Sequence, residues 1–224
     1  MNEACPNYVV TIDGPAGAGK SSVARRAASE LGIKYLDTGA IYRAIALILA
    51  KSEISPQSDE FLREALKDIK IELKDNSVFV NDFDVGSEIR TPEVDELASV
   101  YSAVPAVREA LLGLQKDQKN YGSIIAEGRD VGSVVFPDAK AKFFLTASPE
   151  ARAKRRYLER ISKGKPADYD EILESIRQRD INDSTRKLAP LSVPQGAVYL
   201  DTSDMTEDEV IKFIIDTVNE ALSK

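Results

Sequence analysis

The stretch Tyr8-Val9-Val10-Thr11-Ile12-Asp13-Gly14-Pro15-Ala16-Gly17-Ala18-Gly19-Lys20-Ser21 decides how this chain is built. Tyr8 to Ile12 is a short β-branched run ending at Asp13-Gly14, the pattern of a buried strand. The spacing Gly14-x4-Gly19-Lys20-Ser21 follows at once. Glycines let the backbone wrap close to phosphate oxygens without Cβ clashes. Successive N–H groups then face inward as an anion nest, and the helix that follows adds the positive end of its dipole. Lys20 is placed to reach the β- and γ-phosphates, and Ser21 offers a hydroxyl to Mg²⁺. A chance match in a chain of this length is about one in a hundred, given ordinary glycine usage. The cradle is expected to span Gly14, Pro15, Ala16, Gly17, Ala18, Gly19, Lys20, Ser21 and Ser22.

Outward from this loop the chain alternates strand and helix. A helix is expected from Lys20 to Leu31, stopped by Gly32. Lys34–Asp37 reads as a second strand, and Thr38 as the cap of a helix carrying Tyr42, Arg43, Ile45, Ala46 and Leu49. The region 60–90 reads as a small antiparallel hairpin, with Ile71-Glu72-Leu73 and Val78-Phe79-Val80 joined by a turn at Asp75-Asn76-Ser77. Helices are expected over Pro92–Ala103 and Pro105–Lys119, each with proline in its first turn. Further strands are expected at Ser123–Ala126, Ala141–Leu145 and Ala197–Leu200. Pro149 opens a helix reaching about Ser162, and another runs from about Tyr169 through Arg179. The last helix has a capping box at Thr206 and Glu209 and an apolar stripe of Val210, Phe213, Ile214, Val218, Ala221 and Leu222. The fold class is therefore α/β: a P-loop parallel sheet wrapped by helices, with a small antiparallel β insertion. Ligands in such folds sit at the carboxyl ends of the strands. Gly14, Asp37-Thr38 and Glu127-Gly128 all fall at such ends.

Composition narrows the chemistry. The 224 residues contain no histidine, which removes Ser-His-Asp triads, His-Cys zinc sites and imidazole bases. Any catalysis must rest on carboxylates, Lys, Arg, hydroxyls and a borrowed cation. A net charge of −7 argues against a broad nucleic-acid surface. The one cysteine, Cys5, fits a reducing compartment, and neither a signal peptide nor a bilayer-spanning run is expected, so a cytoplasmic location is. Between Ala151 and Lys165 stand seven cations against the single anion Glu159. Arg152, Arg155, Arg156 and Arg160 fall on one helix face, which reads as a lid gathered about a transferred phosphoryl group. A guanine-reading Asn-Lys-x-Asp is absent, so a small kinase is the class expected.

Three further motifs name an acceptor. Asp37-Thr38-Gly39-Ala40-Ile41-Tyr42-Arg43 follows the second strand, Glu127-Gly128-Arg129-Asp130-Val131-Gly132-Ser133 the third, and Arg179-Asp180-x2-Asp183-x2-Arg186 leads to Ala189-Pro190-Leu191. With these motifs the chain resembles the bacterial cytidylate kinases from Val10 to about Ser203, with Ile41 where that family often has methionine. The resemblance implies a single P-loop kinase domain over 1–224, holding a monophosphate-binding insertion at 60–104 and a helical lid region at 152–170. It implies ATP-dependent phosphorylation of CMP and dCMP with Mg²⁺, by a monomer with no polymer or membrane partner. It implies that Arg43 and Arg129 hold the acceptor phosphate, whose oxygens match the planar fork of guanidinium. Ser99, Arg108 and Asp130 would read the cytosine edge. Arg179 and Asp183 would address the sugar, with Arg186 beside the nucleotide and Thr38 and Tyr42 lining the pocket. Lys20, Arg129, Arg155 and Arg156 would stabilise transfer, and Ser21 would meet the metal. Read from composition alone, Tyr42 could equally pack, Ser99 and Arg108 could be surface residues, and Asp183 could pair with Arg179 at i,i+4. Glu127 reads either as an outer-sphere Mg²⁺ partner or as a structural carboxylate. A small-metabolite kinase of the same fold, of the shikimate type, and a non-catalytic nucleotide-dependent regulator are the rival readings.

Overall fold

The computed structural model describes residues 7–57, 59–74 and 77–223. Cys5 and the turn residues Asp75 and Asn76 lie outside the described residues. The elements in chain order are β1 (Val9–Asp13), α1 (Lys20–Leu31), β2 (Lys34–Asp37), α2 (Thr38–Lys51), α3 (Asp59–Lys67), β3 (Ile71–Lys74), β4 (Ser77–Val80) and β5 (Phe83–Asp84). Then follow α4 (Pro92–Tyr101), α5 (Pro105–Asp117), β6 (Ile124–Gly128), β7 (Ala141–Thr146), α6 (Pro149–Ser162), α7 (Tyr169–Thr185), β8 (Val198–Asp201) and α8 (Glu207–Leu222). The described residues form two compact units: those up to Tyr35 together with those from Lys119 on, and Leu36–Gln118.

A five-stranded sheet runs in the order β2-β6-β1-β7-β8. The pairs β1–β6, β1–β7 and β7–β8 are all parallel. Every residue of β1 and of β6 is buried, as a strand covered on both faces requires. One side of this sheet packs Ile12, Ile125, Phe143 and Leu145 with Val23, Ala24, Ala27 and Ala28 of α1 and Val210, Ile211, Ile214 and Val218 of α8. The register sets Asp13 beside Gly128 on one side and Phe144 on the other. The loops that leave β1 and β6 therefore depart from the same edge of the sheet. α6 and α7 pack on each other through Ala153, Ile172 and Ile176, with Tyr157 set edge-on to Tyr169.

Local chemistry fixes the ends. Gly32 takes φ 66 and its N–H bonds Ala28 and Ser29, closing α1 as read. The capping box of Thr206 and Glu209 is formed. At α2 the expectation is corrected: the cap is Asp37, whose carboxylate accepts from Ala40 N–H at 2.8 Å, and Thr38 has already entered the helix. The region 60–90 is more than a hairpin. α3 precedes a three-stranded antiparallel sheet β3-β4-β5, and Asn81 and Asp82, at φ 48 and 69, turn the chain into β5. α4 and α5 each end two residues earlier than read, α5 passing into a 3₁₀ turn at Gln118–Tyr121. α7 runs on past Arg179 to Thr185. Its polar tail stays helical because the hydroxyls of Ser184 and Thr185 bond back to carbonyls one turn earlier and Asp183 is tied to Arg129. Among the described residues no single helix is long and apolar enough to cross a membrane.

Phe213 and Leu222 depart from the stripe read on α8, since they are 39% and 40% exposed, whereas Phe143 is wholly buried. Phe143→Ala is expected to cost about 3–5 kcal/mol, as truncation of a buried aromatic does. Phe213→Ala is expected to cost about 1 kcal/mol or less, as changes near the surface do. Urea denaturation of the two variants measures the difference, and equal losses would contradict the packing described.

Candidate active site

The loop from Gly14 to Ser21 is shaped by its glycines. Gly14 takes φ 146, and a Cβ there would collide with the backbone carbonyl oxygen of Leu145. Only glycine lets the chain leave β1 so close to β7. Gly19, at φ 85, heads α1 without offering a side-chain cap, and the first turn of that helix holds no acid. Its leading N–H groups are thus left to an external anion, which is the fit expected of a phosphate cradle. Lys20 opens the helix, buried, with Nζ donating to the Pro15 carbonyl at 2.8 Å. Burial pushes its ammonium down to about 7, and the positive charge of Arg129 adds to the effect. Ser21 Oγ donates to Glu127 Oε1 at 2.5 Å, and Tyr35 donates to the same oxygen at 3.0 Å. Ser22 turns back to the Gly19 carbonyl.

Arg129 and Asp130 leave the end of β6 beside this loop. Arg129 Nε donates to Asp183 Oδ2 at 2.9 Å. Burial pulls the guanidinium down, and the Asp183 carboxylate outweighs this and holds it above its ordinary value. Burial likewise pushes Asp183 up, but Arg129 and Arg179 prevail and keep it below the usual carboxylate range. The hydrogen bond of Asp183 thus reaches 54 residues to Arg129, while Arg179, one turn away, acts on it through charge. Asp130 pairs with Arg186 at 3.4 Å, both side chains nearly buried, and Arg186 Nε also donates to Ala189. The basic face of α6 is not uniformly solvated. Arg152 is buried and bonds the carbonyls of Ala147 and Ala16 and both oxygens of Asp180. Arg155 reaches Thr202, and Arg156 is half-buried.

Within Leu36–Gln118 a second guanidinium cluster forms. Arg43 Nη2 lies 3.1 Å from Asp37 Oδ2, and Arg90 lies 3.0 Å from the same atom. Asp95 stands 3.7 Å from Arg43. Burial raises Asp37, but Arg43 and Arg90 overcome it and hold the carboxyl below its ordinary value. Arg108 lies over the Tyr42 ring at 5.6 Å and donates to the Ser102 carbonyl. Ser99, half-buried, accepts from Ser102 through its carbonyl, and Thr38 is buried at the head of α2.

The family model described as "Cytidylate kinase" matches residues 10–220. The chain belongs to the cytidylate kinase family. The cytidylate kinase of Caldanaerobacter subterraneus subsp. tengcongensis is 46% identical over 209 residues, covering 93% of each chain. That of Mycobacterium leprae is 47% identical over 215 residues, covering 96% of each. An uncharacterized protein from Eubacterium ventriosum superposes with a TM-score of 0.52 at 13% identity, over 95% of this chain and 99% of that one, a likeness of fold alone.

In this cytidylate kinase family member the sequence assigns Asp13 and Arg90 no role in these clusters, and it marks Asp37, Arg152 and Asp180 only as members of motifs or of the basic face, without their partners. Arg90 stands inside the quotable run Ser87-Glu88-Ile89-Arg90-Thr91-Pro92, and that position was the available signal. Arg152 and Asp180 meet 28 residues apart, which no local pattern reveals.

The depressed Lys20 gives a testable linkage. An unliganded ammonium near 7 is partly neutral at neutral pH, and a bound triphosphate favours its charged form. ATP binding at about pH 7.5 should therefore take up protons, read by calorimetry in buffers of different ionisation enthalpy. Lys20→Arg, which keeps a charge that does not titrate, should lose that uptake. Equal proton counts in both proteins would contradict the assignment.

Proposed function

We propose that this enzyme transfers the γ-phosphoryl group of ATP to the 5′-phosphate of CMP and dCMP, giving CDP or dCDP and ADP. The observation that carries the reading is the buried Lys20 at the head of a helix without a side-chain cap, with the half-buried Arg129 near enough to act on its charge, in a chain whose family is cytidylate kinase. A small-metabolite acceptor is not favoured by that membership.

The backbone N–H groups of Ala16 to Ser22 hold the triphosphate, and Lys20 leaves the Pro15 carbonyl to meet the β- and γ-phosphates. Ser21 would hold Mg²⁺, with Glu127 joined to it through the shared hydrogen bond. Hydroxyl and carboxylate oxygens suit this hard cation. Among the described residues no cluster of three acids or cysteines could hold a metal alone, so most of its ligands would be phosphate oxygens and water. When bound, Mg²⁺ neutralises charge on the phosphates.

Arg43 and Arg129 hold the acceptor phosphate. Ser99, Arg108 and Asp130 read the cytosine edge, Arg179 and Asp183 address the sugar, Arg186 stands beside them, and Thr38 and Tyr42 line the pocket. Asp183 also sets the fork of Arg129 through the bond at its Nε, and Nη1, which donates to the Gly128 carbonyl at 3.3 Å, would exchange that partner for phosphate. Residues 60–104 are the monophosphate-binding insertion and 152–170 the lid, from which Arg155 and Arg156 swing to the transferred group. The acceptor oxygen is already anionic at neutral pH, since the second pKa of a phosphate monoester is about 6. No histidine base is needed. The γ-phosphorus gains a bond to that oxygen as its bond to the β-phosphate oxygen breaks, and the arginines meet the charge that spreads over the transferred oxygens. Lid closure excludes water, which suppresses hydrolysis of ATP.

Incubation with Mg-ATP and each nucleoside monophosphate in turn tests the reading. CMP and dCMP are expected to turn over fastest, and faster turnover of AMP would contradict the base assignment. Arg129→Ala should lower kcat/KM for CMP by about a hundredfold or more, as removal of a charge-stabilising donor does, while ATP still binds. Unchanged turnover would remove Arg129 from the mechanism.

A further inference from the structure

Asp13 is the last residue of β1 and its side chain is wholly buried. Its two oxygens take two consecutive backbone donors from far along the chain. Val131 N–H donates to Oδ1 at 2.8 Å, and Gly132 N–H to Oδ2 at 2.7 Å. These donors open a single π turn, Val131–Val135, whose preceding residue, Asp130, supplies no side-chain cap. The carboxylate that ends the phosphate-loop strand therefore caps the turn that follows Arg129 and Asp130.

Packing makes this clamp tight. A Cβ on Gly132 would stand 2.6 Å from Thr11 Oγ1, 3.1 Å from Asp13 Oδ2 and 3.2 Å from Pro194 Cγ. Thr11 Oγ1 is itself buried without a hydrogen-bond partner among the described residues. Residue 132 is bare because β1 presses its side chains against it. Burial pushes the Asp13 carboxyl up to about 6, and Asp130 adds to this, while the two N–H donors and Lys20 pull the other way. The ionised group accepts both bonds. An amide of the same shape can accept only one and turns its NH₂ toward the other donor.

We infer that Asp13 is a positioning residue for the acceptor nucleotide: by clamping Val131 and Gly132 to the end of β1, it fixes where Arg129 and Asp130 stand relative to the phosphate loop. The inference rests on the assignment of Arg129 and Asp130 to the acceptor. Arg129 is tied to Asp183 and Asp130 to Arg186, so both side chains have anchors of their own. Their backbone has the bond pair at Asp13 as its fastening immediately downstream. A guanidinium fork displaced by a fraction of an ångström no longer meets phosphate with both arms, and misplacement of this size costs rate. The donor nucleotide is held by the loop Gly14–Ser22, and Gly132→Ala leaves the Asp13 charge beside Lys20 in place, so that variant tests the clamp apart from donor binding.

Asp13→Asn and Gly132→Ala break the same clamp from its two sides. Each is expected to raise KM for CMP on the order of tenfold, as loss of a hydrogen bond to a charged group does. KM for ATP should stay within about twofold in Gly132→Ala, which keeps the Asp13 charge beside Lys20. A double variant should do no worse than the poorer single, because both changes remove one interaction. Amide hydrogen exchange gives a readout that needs no turnover: the Val131 and Gly132 amides should be slow in the wild-type chain and on the order of tenfold faster in Asp13→Asn. If Asp13→Asn does not fold, Gly132→Ala and the wild-type exchange rates decide. An unchanged KM for CMP in both variants, equal rises for both nucleotides in Gly132→Ala, or unprotected Val131 and Gly132 amides would each overturn the inference. Failure of the wild-type chain to phosphorylate CMP would instead overturn the functional reading, with the exchange rates still reporting on the clamp.

Discussion

A buried lysine, Lys20, and a half-buried arginine, Arg129, lie close enough for the charge of the arginine to act on the lysine, and crowding like charges away from water is unfavourable unless anions offset them. The chain supplies those anions from separate elements: Asp13 from β1, Glu127 from β6 and Asp183 from α7. Each carboxylate is in turn satisfied, Asp13 by two backbone amides, Glu127 by Ser21 and Tyr35, Asp183 by Arg129. Lys20, Arg129 and Arg152 each donate to carbonyl or carboxylate oxygens of the chain. Under the proposed function, phosphate oxygens would take the places of these partners, so that nucleotide binding exchanges contacts within the network.

The parallel sheet is what makes such a network possible. Register pairs Asp13 with Gly128, so the exits of β1 and β6 lie side by side. The glycine at position 14 has no Cβ to strike Leu145, and the glycine at 132 none to strike Thr11. Two bare positions let two loops approach two strands, and the ionic contacts follow from that closeness. α6 then ties back to the phosphate loop through Arg152 and the Ala16 carbonyl, so the base of the proposed lid is anchored to the cradle it serves.

The order of strands and helices was legible because buried strands read as short β-branched runs and helices as periodic stripes with prolines and caps at their ends. The eight residues from Gly14 to Ser21 announced the cradle for the same reason: the geometry is local. Legibility ended where local choices were degenerate. Asp37 and Thr38 are adjacent and both can cap, and only the direction of the Asp37 carboxylate toward Ala40 decides. β5 is two residues long, too short for any alternation to register. The tail of α7 is polar throughout and is held by a contact 54 residues away. Asp13 and Arg152 looked like a strand end and a lid cation because their partners, 118 and 136 residues distant, leave no mark on their neighbours in sequence. The acceptor residues were named through resemblance, since Ser99 and Arg108 sit in helices of ordinary composition.

A crystal structure of the enzyme with CMP bound tests the account most directly. The account predicts the 5′-phosphate on the Arg129 guanidinium and the cytosine edge in hydrogen-bond contact with Asp130, Ser99 and Arg108. A cytosine ring that touches none of these three, or a phosphate remote from Arg129, would contradict it.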